Sequence, residues 1–171
     1  PMKSAKPDQK YLALIKAHPL FRGLREEEIP GLLDCLAGTV EIIAAGTAIP
    51  TGGCCGAGPV RSCCILAGSA QHLKYDLRGK ASILEYMASG SLVGGSQTFA
   101  VRPWQTGSIV ASEECDCLFL DLKKLAEGQG ESWDNLGRLS LNLIRILAEE
   151  NQQLLEKADI LAHRTLREKV L

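Results

Sequence analysis

Two groups of residues in this chain have the types and spacing to do chemistry. The first is thiol-rich. Seven cysteines occur, and four of them sit as the adjacent pairs Cys54-Cys55 and Cys63-Cys64 on either side of a short loop, 56–61. Brought together in a hairpin, four thiolates could in principle hold zinc or an iron–sulfur cluster. The spacing argues against it, because neighbouring residues on a strand point to opposite faces and no C-x-x-C is present. Buried or loop thiols are the default expectation, with a reversible disulfide of the Cys54/Cys63 type as a lesser variant. Cys115 and Cys117 alternate by two, so both face one side of a strand and read as core.

The second group is Gly94-Gly95-Ser96-Gln97-Thr98, followed by Arg102, Trp104 and Thr106-Gly107-Ser108. A glycine pair leading into a short helix offers backbone N–H groups to an anion. Arg102 is either a cation reaching inward or a loop arginine facing water. Trp104 is either a cap over a ligand or part of the core. His18, His72 and His163 are dispersed and read as ordinary surface or interface histidines. The chain has no nucleophile elbow, no phosphate-binding P-loop and no carboxylate pair in a catalytic setting. A β-barrel enzyme of the cupin type would need a His/Glu ligand set that is missing here. The expectation is therefore a protein that binds rather than catalyses, with no cofactor.

The elements that must position these residues follow from periodicity. Residues 9–37 read as helical, broken at Pro19, with a second helix from Arg25 to Leu36 whose first turn carries Glu26, Glu27 and Glu28. From Thr39 to Asp121 short β-rich runs appear: Val40–Ile43, Cys63–Leu66, Ala70–Tyr75, Ile83–Tyr86, Ser108–Ala111 and Cys117–Leu120. Glycines 46, 58, 68, 79 and 90 punctuate them at steps of 12, 10, 11 and 11. Such spacing predicts an all-β barrel, roll or sandwich. Asp76 to Lys80 is a polar hairpin tip. A short helix follows over Leu122–Ala126, capped by Asp121 and stopped by Gly128 and Gly130. Ser132 then caps a long helix over Trp133–Leu161.

That long helix carries two stripes. Leu136, Leu139 and Leu143 form the first, which is expected to pack on the β-roll. Leu147, Leu154 and Leu161 recur every seven residues, with Ile144, Asn151 and Ala158 at the alternate seam positions. Leu143 to Leu161 thus read as a parallel dimer interface, in which one buried polar residue, Asn151, fixes register and two-strandedness. Thr165 looks like the cap of a further helix. The resulting division is an N-terminal helical segment (1–37), a β-roll (38–130), a dimerisation helix (131–162) and the start of another domain (163–171).

Bulk properties agree with this. At 171 residues, with 46% apolar and 23% charged residues, the chain can bury one core. A net charge of −1 excludes a broad nucleic-acid-binding surface. No run has membrane-span length, and the N-terminus has no apolar stretch directly behind its positive charge, so a cytoplasmic, reducing setting is expected.

Three stretches together resemble the cyclic-AMP receptor protein / fumarate-nitrate reductase regulator (Crp/Fnr) superfamily. They are Val60-Arg61-Ser62 through Leu66-Ala67-Gly68-Ser69; Gly90-Ser91-Leu92-Val93-Gly94-Gly95 with Ser108–Ala111 and Cys115–Asp121; and Leu143–Asn151 followed by Arg164–Lys169. The resemblance implies a cyclic-nucleotide-binding-like double-stranded β-helix (jelly roll) and a homodimer through the long helix. It also implies a winged helix-turn-helix beyond Leu171, through which alone DNA would be touched. Nucleotide-binding members of the superfamily place a Glu after a Gly, to hold the ribose, and an Arg near a Ser, to pair the phosphate. Gly95 and Thr106 stand at those places here, so weak or no cyclic-AMP binding is expected. The oxygen-sensing members carry an N-terminal cysteine cluster, and residues 1–34 have no cysteine. The resemblance implies a transcription regulator with an unidentified effector. The alternative is a ligand-free dimeric interaction module with a degenerate pocket.

Overall fold

The computed structural model describes residues 7–51, 61–100, 107–127 and 133–170, and of residues 126, 127, 133 and 163–170 the backbone alone. Cys54, Cys55, Gly58, Arg102, Trp104, Thr106, Gly128, Gly130 and Ser132 lie outside the described residues.

Helix α1 spans Gln9–Ala17, and Pro19–Phe21 forms a 3-10 turn directly after it. A second 3-10 turn, Glu26–Glu28, precedes α2 at Ile29–Cys35. The three glutamates therefore form their own turn rather than opening α2. Glu28 reaches back to accept from the Arg25 amide at 2.7 Å. Pro30 then falls in the first turn of α2, where its missing N–H costs nothing.

Among the described residues seven strands follow: β1 Thr39–Ile43, β2 Ser62–Ala67, β3 Ser69–Tyr75, β4 Ala81–Ala88, β5 Leu92–Val93, β6 Ser108–Ala111 and β7 Cys115–Leu120. Three helices complete the order: α3 Gly95–Phe99, α4 Lys124–Glu127 and α5 Trp133–Val170. One antiparallel sheet runs β1-β7-β2-β5 and the other β4-β3-β6. The chain is thus mainly β, a two-sheet roll flanked by helices. The turn between β3 and β4 is held by Asp76, whose carboxylate accepts from the Arg78 and Lys80 amides at 2.8 and 2.9 Å. Asp121 accepts from the Lys123 amide at 3.2 Å, but α4 begins at Lys124, two residues later than the sequence pattern predicts.

Strand β2 is buried on both faces. Cys63 and Ile65 point into the roll with Ile43, Val93, Cys117 and Phe119. Cys64 and Leu66 point outward under the helices, with Leu118, Leu120, Ile29, Leu32, Leu136 and Leu139. Two apolar layers on one strand explain why its sequence is a continuous apolar run rather than an alternation.

Helix α5 continues unbroken to Val170. No separate helix starts at Thr165; 163–170 extend the long helix, which at 38 residues is about 57 Å long. Leu143 is 4% exposed in the chain's own core. It packs with Leu136 and Leu139 in the first stripe, where the chain itself already buries it.

Gly107 precedes β6 at φ 114°, and a Cβ there would sit 1.9 Å from the Leu73 carbonyl oxygen. Gly107→Ala is expected to cost about 3 kcal/mol or more, since backbone must move. Gly46→Ala, also at positive φ but with nothing within 4 Å, should cost only about 1–2 kcal/mol. Urea denaturation of the two variants measures the difference.

Candidate functional site

The Gly94–Thr98 segment packs against β2 and α5. Gly94 sits at φ 77°, the left-handed region, and turns the chain from β5 into α3. The Thr98 hydroxyl donates to the Gly94 carbonyl at 3.0 Å and is 2.8 Å from the Ser62 hydroxyl. Both side chains are buried, so this one turn is tied to β2. Ser96 is exposed and Gln97 half-buried. Gly95 is packed against α5: a Cβ there would lie 2.7 Å from Leu92 Cδ2 and 3.7 Å from Leu143 Cδ1. Gly107 and Ser108 sit at the start of β6, where Ser108 pairs with Leu73. Arg102, Trp104 and Thr106 fall outside the described residues, so of the candidate pocket the structure describes Gly94–Thr98 and Gly107–Ser108.

The roll interior also holds an ion pair that the sequence pattern does not single out. Glu41 shares the inward face of β1 with Ile43, and its side chain is 5% exposed. Arg61 lies over the Phe119 ring at 4.9 Å and approaches Glu41 Oε1 at 3.4 Å through Nη1. Its Nη2 donates to the Thr39 hydroxyl. The Arg61 backbone lies beside Gly94: a Cβ on that glycine would be 3.5 Å from the Arg61 carbonyl oxygen. The signal that could have found Glu41 is strand alternation, since Glu41 stands two residues before the inward-facing Ile43.

The thiols split as their spacing predicts. Cys63 faces the interior and Cys64 the helices. Contact with the Cys117 thiol, then burial, pushes the Cys63 thiol well above its usual range, and burial raises Cys64 and Cys115 as well. Cys115 donates to the Ser69 carbonyl at 3.1 Å. Protonated buried thiols are poor ligands, and among the described residues no group of three His, Cys, Asp or Glu is arranged to hold a metal.

His18 corrects the expectation of a surface histidine: it is 2% exposed. Nδ1 accepts from the Leu20 amide at 3.2 Å and Nε2 lies 3.3 Å from the Ser91 carbonyl, which assigns the neutral Nε2–H form. It ties the 3-10 turn after α1 to the turn before β5. Asn142 on α5 clamps the same 3-10 turn, donating to the Leu20 and Arg22 carbonyls at 3.0 and 2.8 Å.

Leu147, which the heptad places in the seam, is partly buried against the chain's own core together with Ile146, and beyond it α5 leaves the core. Ile144, Leu154 and Leu161 are 62%, 59% and 62% exposed, and Asn151 and Ala158 are exposed with them. Its side chains do approach β4: Lys157 Nζ lies 3.8 Å from Glu85 Oε1. Burial, with the Glu85 charge as the second cause, pushes the Glu150 carboxyl up to about 7.

No protein-family model and no curated protein matches the chain. Solved structures do. A cyclic-nucleotide-binding domain from Methylobacillus flagellatus superposes with a TM-score of 0.70 at 16% identity, covering 91% of this chain and 86% of that one. The chain has the cyclic-nucleotide-binding fold. Thermus thermophilus catabolite activator protein matches with a TM-score of 0.62 at 23% identity over 84% of this chain, which spans 63% of that protein's length. The sensor domain of the transcriptional regulator DNR from Pseudomonas aeruginosa matches with a TM-score of 0.61 at 16% identity, over 88% and 93% of the two chains. Identities this low establish shared architecture, and the pocket chemistry must be read from this chain's own residues.

Burial lowers the His18 pKa below its usual 6.5, and the bond to the Ser91 carbonyl offsets only part of that. The stability of the neutral buried ring is therefore complete above pH 6.5 and is lost as pH falls through the folded state's lower value. Thermal melts between pH 8 and 5 should show His18→Gln losing less stability on acidification than the native chain. Equal slopes would remove His18 as the titrating group.

Proposed function

We propose that this chain is the effector-sensing and dimerisation part of a cytoplasmic Crp/Fnr-type transcription regulator. DNA would be contacted through a C-terminal winged helix-turn-helix that lies outside this sequence. The observation that carries the reading is the division of α5. Leu136, Leu139 and Leu143 root it in the core beside α3, while Ile144, Leu154 and Leu161 stand exposed at heptad spacing. A second copy of the helix would cover that stripe, with Asn151 paired across the seam.

The mechanism is a population shift. An occupant seated against the Gly94–Thr98 turn would press on Leu92, Gly95 and Leu143, and so on the angle at which α5 leaves the roll. It would bias the dimer only to the extent that it binds one helix packing more tightly than the other. Cyclic AMP is a poor candidate. Gly95 and Thr106 replace the charged contacts expected of a nucleotide site, and Leu92 Cδ2 takes up the space beside Gly95. That filled space also favours the second reading, a dimeric module with no ligand.

Asn151→Leu should tighten the dimer by roughly tenfold, about 1.5 kcal/mol, because a buried amide is replaced by an apolar side chain. Sedimentation across a dilution series measures this, and an unchanged dissociation constant would mean that the seam register is wrong. In the same samples cyclic AMP should leave both the dimer affinity and the melting temperature unmoved. A clear dose-dependent rise would restore it as the effector.

A further inference from the structure

Two further lines of α5 flank the seam when Ile144, Asn151 and Ala158 are counted as a and Leu147, Leu154 and Leu161 as d positions. The g line is Leu136, Leu143, Glu150 and Lys157, and it runs along the chain's own roll. Leu136 and Leu143 lie in the core, and Lys157 reaches Glu85 on β4. The e line is Leu141, Ala148, Leu155 and Ala162, apolar and exposed at every place. Leu141 is 47% and Leu155 63% exposed. In an ordinary two-stranded pair, charges at e meet the partner's charges at g. Here the charged g residues are turned toward β4, and e offers them no charge. The e line is continuous with the exposed seam, and together they form an apolar band wider than one partner helix covers.

Strand β4 is placed to cover the remainder. It ends its sheet in the order β4-β3-β6. Its register with β3 shifts between His72 and Leu73, which leaves Leu84 in a bulge beside Glu85, without a residue opposite it on the ladder. Leu84 is 46% exposed. In a parallel pair each g residue stands beside the partner's e residue of the following heptad. Glu150, close enough to Glu85 to feel its charge, therefore has Leu155 of the second copy beside it. The g line faces its own β4, so the second copy's e line arrives at that same strand.

We propose that the dimer interface extends beyond the helix seam, with the e line of one copy's α5, Leu155 foremost, packed on the edge strand β4 of the other copy against Leu84. The two-fold axis of such a dimer makes the contact twice. It joins the β3–β4 hairpin of each roll to the helix of the other copy, so a shift of either hairpin is felt across the dimer. The proposal rests on the parallel-dimer reading of α5 and adds to it a second surface on the roll.

Cross-linking of the whole chain tests this. One preparation carries Leu84→Cys and a second, differently tagged, carries Leu155→Cys. The two are mixed, left to exchange and mildly oxidised, with Ala158→Cys as the control for the seam itself. The expected product is a covalent dimer whose digested peptides join positions 84 and 155, in a yield comparable to that of the Ala158→Cys dimer. Leu84→Glu should also weaken the dimer about tenfold or more in sedimentation, as Leu155→Glu does, although Leu84 is not on the helix. Gln152→Glu, off the seam, should leave it unmoved. Should Leu84→Glu lose the circular dichroism of the native chain, the cross-link decides. An Ala158→Cys dimer without the 84–155 link overturns the contact and keeps the helix seam. Links between Leu155→Cys copies in trimers or tetramers also overturn it, since further helices then cover the e line. Absence of both links, with a monomer in sedimentation, removes the parallel-dimer reading itself.

Discussion

The pairing of β2 with β7 is the constraint on which the rest of the molecule depends. Both strands are buried on both faces, one lining the roll and the other supporting the helices. A residue on one face is therefore never more than a strand's thickness from the other compartment. Ser62 and Arg61 illustrate the consequence. Ser62 grips the α3 turn on the outer side, and its neighbour Arg61 reaches Glu41 and Phe119 on the inner side. The fold thus places an interior polar pair and the helix-bearing turn on adjacent residues, with no mobile connection between them.

From that turn the route to α5 is short and made of packing. Gly95 lies against Leu92 and Leu143. Asn142, the preceding residue on α5, holds the 3-10 turn after α1, and His18 ties that turn back to Ser91 before β5. The root of α5 is therefore fixed from several sides by groups that are buried and hydrogen-bonded. Its distal half is not. The contrast gives the helix a fulcrum near Leu143 and a long free arm, in which Lys157 and Glu150 approach Glu85 on β4.

Much of this architecture was legible in the residues. Glycines 46, 68, 79 and 90 marked turns of the roll, and Leu136, Leu139 and Leu143 marked the face by which α5 is rooted. Adjacent cysteines announced that Cys63 and Cys64 would diverge. The errors have physical causes. Leu143 satisfies both the core stripe and the heptad, and only packing assigns it to the core. Thr165 has the chemistry of a cap, but a cap acts only where the chain leaves the helix, and it does not leave before Val170. His18 looked like surface because a neutral, doubly partnered ring gives no sequence signal. Glu41 was hidden in an apolar run, and its partner Arg61 is twenty residues away along the chain. The pairing of distant strands is what a local pattern cannot supply.

The central claim is that the exposed stripe on the distal half of α5 is covered by a second copy. Hydrogen exchange along residues 144–162, measured at two widely separated protein concentrations, tests it directly. A lone exposed helix arm gains little protection from tertiary packing. The account predicts slow exchange over Leu147–Leu161 at high concentration, lost on dilution, while the amides of β2 and β7 stay protected at both. Protection of the arm that is weak at both concentrations, or independent of them, would contradict it.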